Sequence, residues 1–388
     1  MVANMRRTVP VAFLVLVLAA ALAASAMAAP ANPPTLRGWP KETPAGTVLQ
    51  GPQGGAVVVG QDAFTYAAAA YRRDGRRLWS SVRTAGCGNC DDGPQSIALQ
   101  PNGTYGPIGP EGDDIWALDS GGHVVAGCAG VVFADATCVT GRSMVFDPTA
   151  PHPSVVATGG PGPPWSVVDS TFIWQDDFDV PPMAVRDGAG LVYTAFDSPR
   201  SVVVGEVPGL LMTVDPVNRS VVRTRIGPRQ VLAGFTSGVL VAEGDRIVSI
   251  GPDGADRWSR TLSASPEQTI VDPARDRVYI GRRIGGSGPV VVRALTASTG
   301  ATVWRTRGGD RARLLSVGPG GRVYIAVDAT GRRAARGVRF ATGATVWEHR
   351  TSMPVLGVRE LVNGTVAISA GNRYAGTVGG RMAIIDPR

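Results

Sequence analysis

The sequence predicts an all-β protein, an eight-bladed β-propeller with four antiparallel strands per blade. Three observations carry this expectation. Glycine (51) and proline (30) make up 81 of the 388 residues, or 21%, against a usual share of about 12%. Only 18% of residues are charged while 44% are hydrophobic, so the chain has a large apolar surface to bury and is not a polar disordered one. Finally, three short motifs recur at an even spacing, the mark of a repeat architecture.

The first motif is a glycine turn followed by a strand with tryptophan at a fixed offset. It reads DGRRLW at Asp74–Trp79, DGADRW at Asp253–Trp258, and TGATVW at both Thr299–Trp304 and Thr342–Trp347. The second is an apolar strand ending in an Asp or Asp-Pro turn: ALDSGG from Ala117, MVFDP from Met144, MTVDP from Met212 and AIIDP from Ala383. The third opens each unit as strand, turn, strand. AVRDGAGLVY ends at Tyr193, IVDPARDRVY at Tyr279 and SVGPGGRVY at Tyr324, and IALQPNGTY, VLAGFTSGVLVA and LVNGTVAI fill the same slot. Joined, the motifs make a unit of four strands, A to D. The turn between C and D is expected near residues 75, 121, 149, 217, 254, 300, 343 and 387, an average spacing of 44.6 residues. One four-stranded sheet of that length cannot bury its faces alone, so neighbours stack around an axis. Eight turns mean eight blades; two uneven middle intervals leave seven as the alternative. The chain stops where strand D of the last blade should begin. A closing strand is therefore expected from a proline-rich leader at 29–45, where Leu36–Trp39 (LRGW) offers a tryptophan, and the propeller domain occupies 46–388. Closure of this kind leaves no exposed sheet edge.

These repeats resemble the PQQ-like, or quinoprotein alcohol dehydrogenase-like, β-propeller family, whose typical form is A-L-D-x-x-T-G-x-x-x-W. The chain reads RALTASTGATVW at Arg293–Trp304 and ALDSGG at Ala117. The resemblance runs over roughly 36–388 and is strongest in blades 5 to 7. It implies a propeller whose tryptophans pack between blades, in a family that holds both quinone-dependent dehydrogenases and non-enzymatic scaffolds. Many of those dehydrogenases stack the quinone on a vicinal disulfide, and this chain has no adjacent cysteines. The resemblance to a scaffold lipoprotein of outer-membrane assembly departs at the N-terminus, which lacks a lipobox.

Residues 1–28 read as a secretory signal peptide: Arg6-Arg7, an apolar run from Val11 to Leu22, then Ala26-Met27-Ala28. The run is too short for a spanning helix, which needs about 20 apolar residues. The expected location is secreted or extracytoplasmic, with no stable membrane anchor after cleavage. Net charge is +7, carried by 37 arginines and a single lysine, Lys41. One lysine in a leader excludes a Walker-type phosphate loop and a Schiff-base lysine in the body. The arginines are scattered rather than set in a stripe with aromatics, which argues against nucleic acid.

In an exported chain the four cysteines, Cys87, Cys90, Cys128 and Cys138, read as two disulfides. Of three pairings, Cys87 with Cys90 and Cys128 with Cys138 is preferred. His123, His152 and His349 lack metal-ligand spacing, and no G-x-S-x-G elbow occurs. In a propeller the D-to-A and B-to-C connections share one face. That face is expected to be bipolar, with Asp176, Asp177 and Asp179 beside Trp165 and Trp174 on one side. Arg282, Arg283, Arg332, Arg333 and Arg336 stand on the other. Aromatics beside charges suit an interface. The function expected is a non-catalytic scaffold, a monomer that binds a protein or a cell-wall polymer and uses no cofactor. The alternatives are a small PQQ-dependent dehydrogenase with quinone and calcium, and a carbohydrate-binding propeller at the cell wall. Enzymatic activity is left open.

Overall fold

The computed structural model describes residues 31–61, 65–84, 98–99, 103–108, 116–126, 131–132, 138–139, 184–196, 209–215, 220–228, 230–243, 245–262, 266–283, 289–309, 312–329, 332–372 and 379–387. Within them the chain is all-β, with two single-turn 3-10 helices at Pro52–Gly54 and Pro273–Arg275.

The short strand β1 (Lys41–Thr43) comes first. One sheet holds β2 (Gly46–Gln50), β3 (Ala56–Gln61), β4 (Thr65–Tyr71) and β5 (Arg77–Thr84). The next holds β6 (Ala98–Leu99), β7 (Tyr105–Ile108), β8 (Trp116–Leu118) and β9 (Val124–Ala126). β10 (Val131–Val132) pairs with β11 (Cys138–Val139). A sheet of β12 (Ala184–Arg186), β13 (Val192–Phe196), β14 (Gly209–Asp215) and β15 (Ser220–Gly227) follows. Then come β16 (Gln230–Gly234), β17 (Val239–Glu243), β18 (Arg246–Ile250) and β19 (Asp256–Thr261). The next sheet is β20 (Gln268–Asp272), β21 (Arg277–Arg283), β22 (Val290–Thr296) and β23 (Thr302–Gly309). After it stand β24 (Arg313–Val317), β25 (Arg322–Ala329), β26 (Arg332–Arg339) and β27 (Thr345–Arg350). Last are β28 (Val355–Glu360), β29 (Val366–Ala370) and β30 (Gly380–Ile385), and here the fourth strand is β1.

Among the described residues there are thus seven four-stranded antiparallel sheets and one two-stranded pair. The first strand of each sheet packs on the first strand of the next: β12 on β16, β16 on β20, β20 on β24, β24 on β28, β28 on β2 and β2 on β6. The apolar cores lie between sheets. Tyr279, Val292 and Trp304 meet Leu314, Val323 and Ile325, and Leu240 and Ile247 meet Val278, Ile280 and Leu295. Sheets that stack face to face in sequence order around their first strands make a β-propeller. The turns expected near 75, 121, 217, 254, 300 and 343 fall between the third and fourth strands of their sheets. The turn expected near 149 and its MVFDP strand lie outside the described residues.

In three of the sheets a tryptophan of the fourth strand fastens the sheet to the next. Trp79 Nε1 donates to the Ser120 carbonyl at 2.9 Å, Trp258 to Ala297 at 2.6 Å and Trp304 to Phe340 at 2.6 Å. Each accepting carbonyl belongs to the third-to-fourth-strand turn of the following sheet. The ring then lies flat on the glycine of that turn. A Cβ on Gly300 would stand 2.5 Å from Trp258 Cε3, and one on Gly343 would stand 2.8 Å from Trp304 Cδ2. Both glycines also hold positive φ, 67° and 72°, where a side chain is strained. Turn geometry and ring contact therefore require the same residue.

Chain start and chain end share one sheet. Lys41, Glu42 and Thr43 pair with Met382, Arg381 and Gly380. Leu36–Trp39 precedes this strand and forms a turn instead, because Trp39 N bonds to Leu36 O at 3.2 Å and Gly38 takes φ 89°. Trp39 still behaves like the other four-strand tryptophans: its Nε1 donates to the Arg73 carbonyl at 2.8 Å, in the turn between β4 and β5. Upstream, Leu36 N bonds to Ile384 O at 2.8 Å and Glu348 N to Ala31 O at 2.9 Å. The leader therefore ties β27, β30 and the first sheet together.

Removing the Trp304 ring leaves a cavity at the seam, and Trp304→Ala is expected to cost roughly 3–5 kcal/mol. Gly343→Ala, which forces a methyl under the same ring, is expected to cost about 1–3 kcal/mol. Urea unfolding of both single variants and the double variant checks this. Because the two share one contact, the double variant should lose less than the sum of the singles.

Candidate functional site

Strand direction alternates within every sheet, so the second-to-third and fourth-to-first connections emerge on one face. Arg282 and Arg283 end β21 at that face, and Arg332 and Arg333 begin β26 there. Arg336 lies inside β26, one turn of the pleat deeper. Trp165, Trp174, Asp176, Asp177 and Asp179 lie outside the described residues, as do Cys87, Cys90 and Cys128. Cys138 is placed only as backbone, paired with Val132 in the β10–β11 ladder.

The arginines of β26 are held by acids of their own sheet. Arg332 makes a forked contact with the buried Glu348, Nη2 to Oε2 at 2.7 Å, and Arg336 Nε reaches the same oxygen at 2.7 Å. Burial acts to raise the Glu348 pKa, but the two guanidiniums outweigh it and hold the carboxyl below its ordinary range. Arg333 donates to Asp328 at 3.4 Å and to the Ser352 carbonyl at 3.1 Å, and Arg283 pairs with Glu267 at 3.3 Å. The sequence pattern showed the arginines at this face but not these acids, because Glu348 reaches them across a ladder, 12 and 16 positions away. Arg350 and Arg381, by contrast, are exposed and form no ion pair among the described residues.

A cavity of about 140 Å³ opens between β27 and the last sheet, with the leader as one wall; its lining includes Thr35, Pro40, His349, Arg350, Met353 and Arg381. Burial pulls the His349 pKa below its ordinary 6.5, against the Pro33 carbonyl, which raises it. His349 Nδ1 has no hydrogen-bond partner among the described residues. The spacing of His349 carried no signal for this cavity, because the leader that walls it lies more than 300 residues away in the chain.

Charge is divided between the halves of the propeller. Residues 46–229 contain 12 arginines against 18 acids, a net of −6, and residues 230–388 contain 22 against 12, a net of +10. Among the described residues no group of three or more His, Cys, Asp or Glu side chains could hold a metal ion. No helix among the described residues is long and apolar enough to cross a membrane.

The comparison with protein families is decided by the basic half of the chain. Residues 243–388 match the PQQ-repeat family described as "Outer membrane protein assembly factor BamB". The PQQ repeat thus spans β18 to β30 and includes Trp258, Trp304 and Trp347. No curated protein matches the chain. Among solved structures, BamB from Moraxella catarrhalis is 12% identical with a TM-score of 0.39, covering 90% of this chain and 100% of that one. Streptogramin B lyase is 10% identical with a TM-score of 0.46, covering 89% and 97%. Hydrazine synthase from Kuenenia stuttgartiensis is 12% identical with a TM-score of 0.39; the alignment takes in 53% of this chain and 62% of that chain's length. Assignment of the fold rests on this chain's own sheets and PQQ repeats.

The lowered His349 pKa fixes the sign of a pH effect. An unfolded histidine takes up a proton as pH falls below 6.5, while the folded one resists it. The stability contributed by neutral His349 is therefore complete above that pH and is lost as the solution is acidified. Thermal unfolding between pH 7.5 and 5 should show the loss, and His349→Gln should flatten it. A variant with the parent's slope would assign the effect to other groups.

Proposed function

We propose that this protein is an exported eight-bladed propeller that acts as a non-catalytic scaffold. It docks an acidic protein surface through the connections of its basic half. The reading is carried by the division of charge, −6 in the first half of the body and +10 in the second, on a fold whose seams are filled by Trp and Tyr rings. The apolar N-terminal run supports export, and the leader is the segment that closes the ring. The two-stranded β10–β11 pair, between β9 and β12 in the chain, is the segment read here as part of an eighth blade. A family description that reads "assembly factor" agrees with a protein partner. No quinone, calcium or other cofactor is needed for this role.

Arg332 and Arg336 do not suit a charge-reversal test of this face, because reversing either would set a carboxylate against Glu348 and disturb β27. The exposed pair Arg350 and Arg381 avoids that fault. With the mature chain as bait for envelope and secreted proteins of the native cell, the Arg350→Glu/Arg381→Glu variant is expected to weaken capture of an acidic partner about tenfold, mainly in association rate. Raised salt should weaken capture by the parent protein as well. Equal capture by parent and variant at low salt would overturn docking through this half. Closure has a separate readout. Deleting residues 30–43 leaves the outer edge of β30 unpaired, and the shortened chain is expected to aggregate or melt well below the parent; an unchanged melting temperature would show that the ring does not depend on the leader.

A further inference from the structure

The seam closed by the leader holds a polar cavity that protein docking does not use. Trp347 of β27 packs with Val355, Val358, Ile368 and Ile385 of the last sheet, so that face of β27 looks into the seam. His349, two residues on, shares the face. Across the seam, Arg381 and Ala383 share the face of Ile385 on β30. His349, Arg381, Ala383 and Ile368 line one cavity of about 140 Å³, which Thr35 and Pro40 of the leader wall on the outside. A water occupies about 30 Å³ of liquid, so the space holds roughly four or five waters or one short organic molecule.

Two groups in this cavity are unanswered by the protein. The His349 ring bonds to the backbone of Pro33, and proline has only a carbonyl to offer, so a ring N–H is the donor. Nδ1 is buried with no hydrogen-bond partner among the described residues. The donor is therefore Nε2, and Nδ1 is left as a lone-pair acceptor in the neutral ring. Burial favours that neutral form. The Thr351 hydroxyl, on the same wall, is already donated to the Met353 carbonyl at 2.7 Å. Arg381 is exposed and forms no ion pair among the described residues, not even with Glu42, its cross-strand neighbour. A buried acceptor calls for an O–H or N–H donor, and a guanidinium calls for a carboxylate. An ammonium would satisfy Nδ1 but would set a second cation near Arg381, so a neutral hydroxyl is the donor that fits both. Ile368, Ala370, Met382 and Ala383 give a short carbon skeleton an aliphatic wall.

We propose that this cavity binds a small hydroxycarboxylate, with the carboxylate on Arg381 and the hydroxyl donating to His349 Nδ1. The site shares Arg381 with the docking reading but does not rest on it, since the ligand is a small molecule and its assay contains no partner protein.

The test is calorimetric titration of the mature chain at pH 7.5 and fixed ionic strength. Sodium lactate should bind with a dissociation constant of about 1 mM or tighter. Propionate, which lacks only the hydroxyl, should bind about tenfold more weakly, and 1,2-propanediol, which lacks the carboxylate, should give no saturable heat. His349→Phe should bring lactate down to the level of propionate. Arg381→Gln, at an exposed position, should weaken lactate about tenfold with the melting temperature unchanged. Arg339→Gln, at the far end of β26, should bind lactate as the parent does. Glucuronate distinguishes the source: tighter binding than lactate identifies a sugar acid, weaker binding a free short hydroxy acid. The lactate–propionate comparison needs no substitution, so it stands even where His349→Phe fails to fold. Equal binding of lactate and propionate, or lactate binding that survives Arg381→Gln undiminished, would overturn the site. No heat with any of the three acids would show a cavity filled by water alone and would overturn it too.

Discussion

A four-stranded sheet has two apolar faces to bury, and in this chain a tryptophan of the fourth strand repeatedly joins one sheet to the next. The tryptophan of the fourth strand buries its ring on the glycine of the next blade's turn and donates its indole N–H to a carbonyl of that turn. Trp79, Trp258 and Trp304 do this in the interior of the ring, and Trp39 of the leader makes the hydrogen bond alone, to the Arg73 carbonyl. Burying such a ring contributes about 4 kcal/mol, and the hydrogen bond sets the angle at which the blades meet. Where the tryptophan is missing, another long side chain takes over part of the role: Arg223 of β15 covers Gly254. The seam is thus a repeated contact, and most of the fold follows from its repetition.

Where the chain begins and ends, the repeat has to be met differently. Trp347 faces the last sheet, whose third strand, β30, and fourth strand, β1, are not joined by a turn. Its ring is fully buried, yet Nε1 has no partner among the described residues. Ala31 pairs beside it, with its N–H donating to the Val346 carbonyl at 3.2 Å. The leader fills the place of a turn without reproducing its carbonyl, and the cavity at His349 lies beside it. The irregular seam is where this propeller departs from its own repeat, and it is also where a titratable side chain is held neutral.

Charge is arranged on a longer scale than packing. The seams are apolar and local, while the acidic and basic residues divide between halves of the chain. The arginines of β26 show that proximity to a face does not make a charge available. Glu348 engages Arg332 and Arg336 from a neighbouring strand, so these two act first as fasteners of their own sheet. Arg350 and Arg381, both exposed, form no ion pair among the described residues.

Period, turn chemistry and the tryptophan offset are properties of contiguous sequence, and each survives into the structure: Asp253–Trp258 and Thr299–Trp304 are a turn and a fourth strand, and Thr342–Trp347 is another. The propeller was therefore legible from the sequence alone, because strand pairing inside each blade is between neighbours in the chain. The site was legible only in part. Leu36–Trp39 announced its tryptophan, but the strand itself begins after Pro40, since a turn at Gly38 comes first. The pairing of Arg332 and Arg336 with Glu348 and the His349 cavity depend on which strands lie side by side and which sheets face each other. Those relations are set by register, by the bulges that shift it and by the stacking of whole sheets, none of which leaves a local pattern in the residues concerned. Sequence determined the repeating unit; tertiary structure decided which charges are satisfied within the fold.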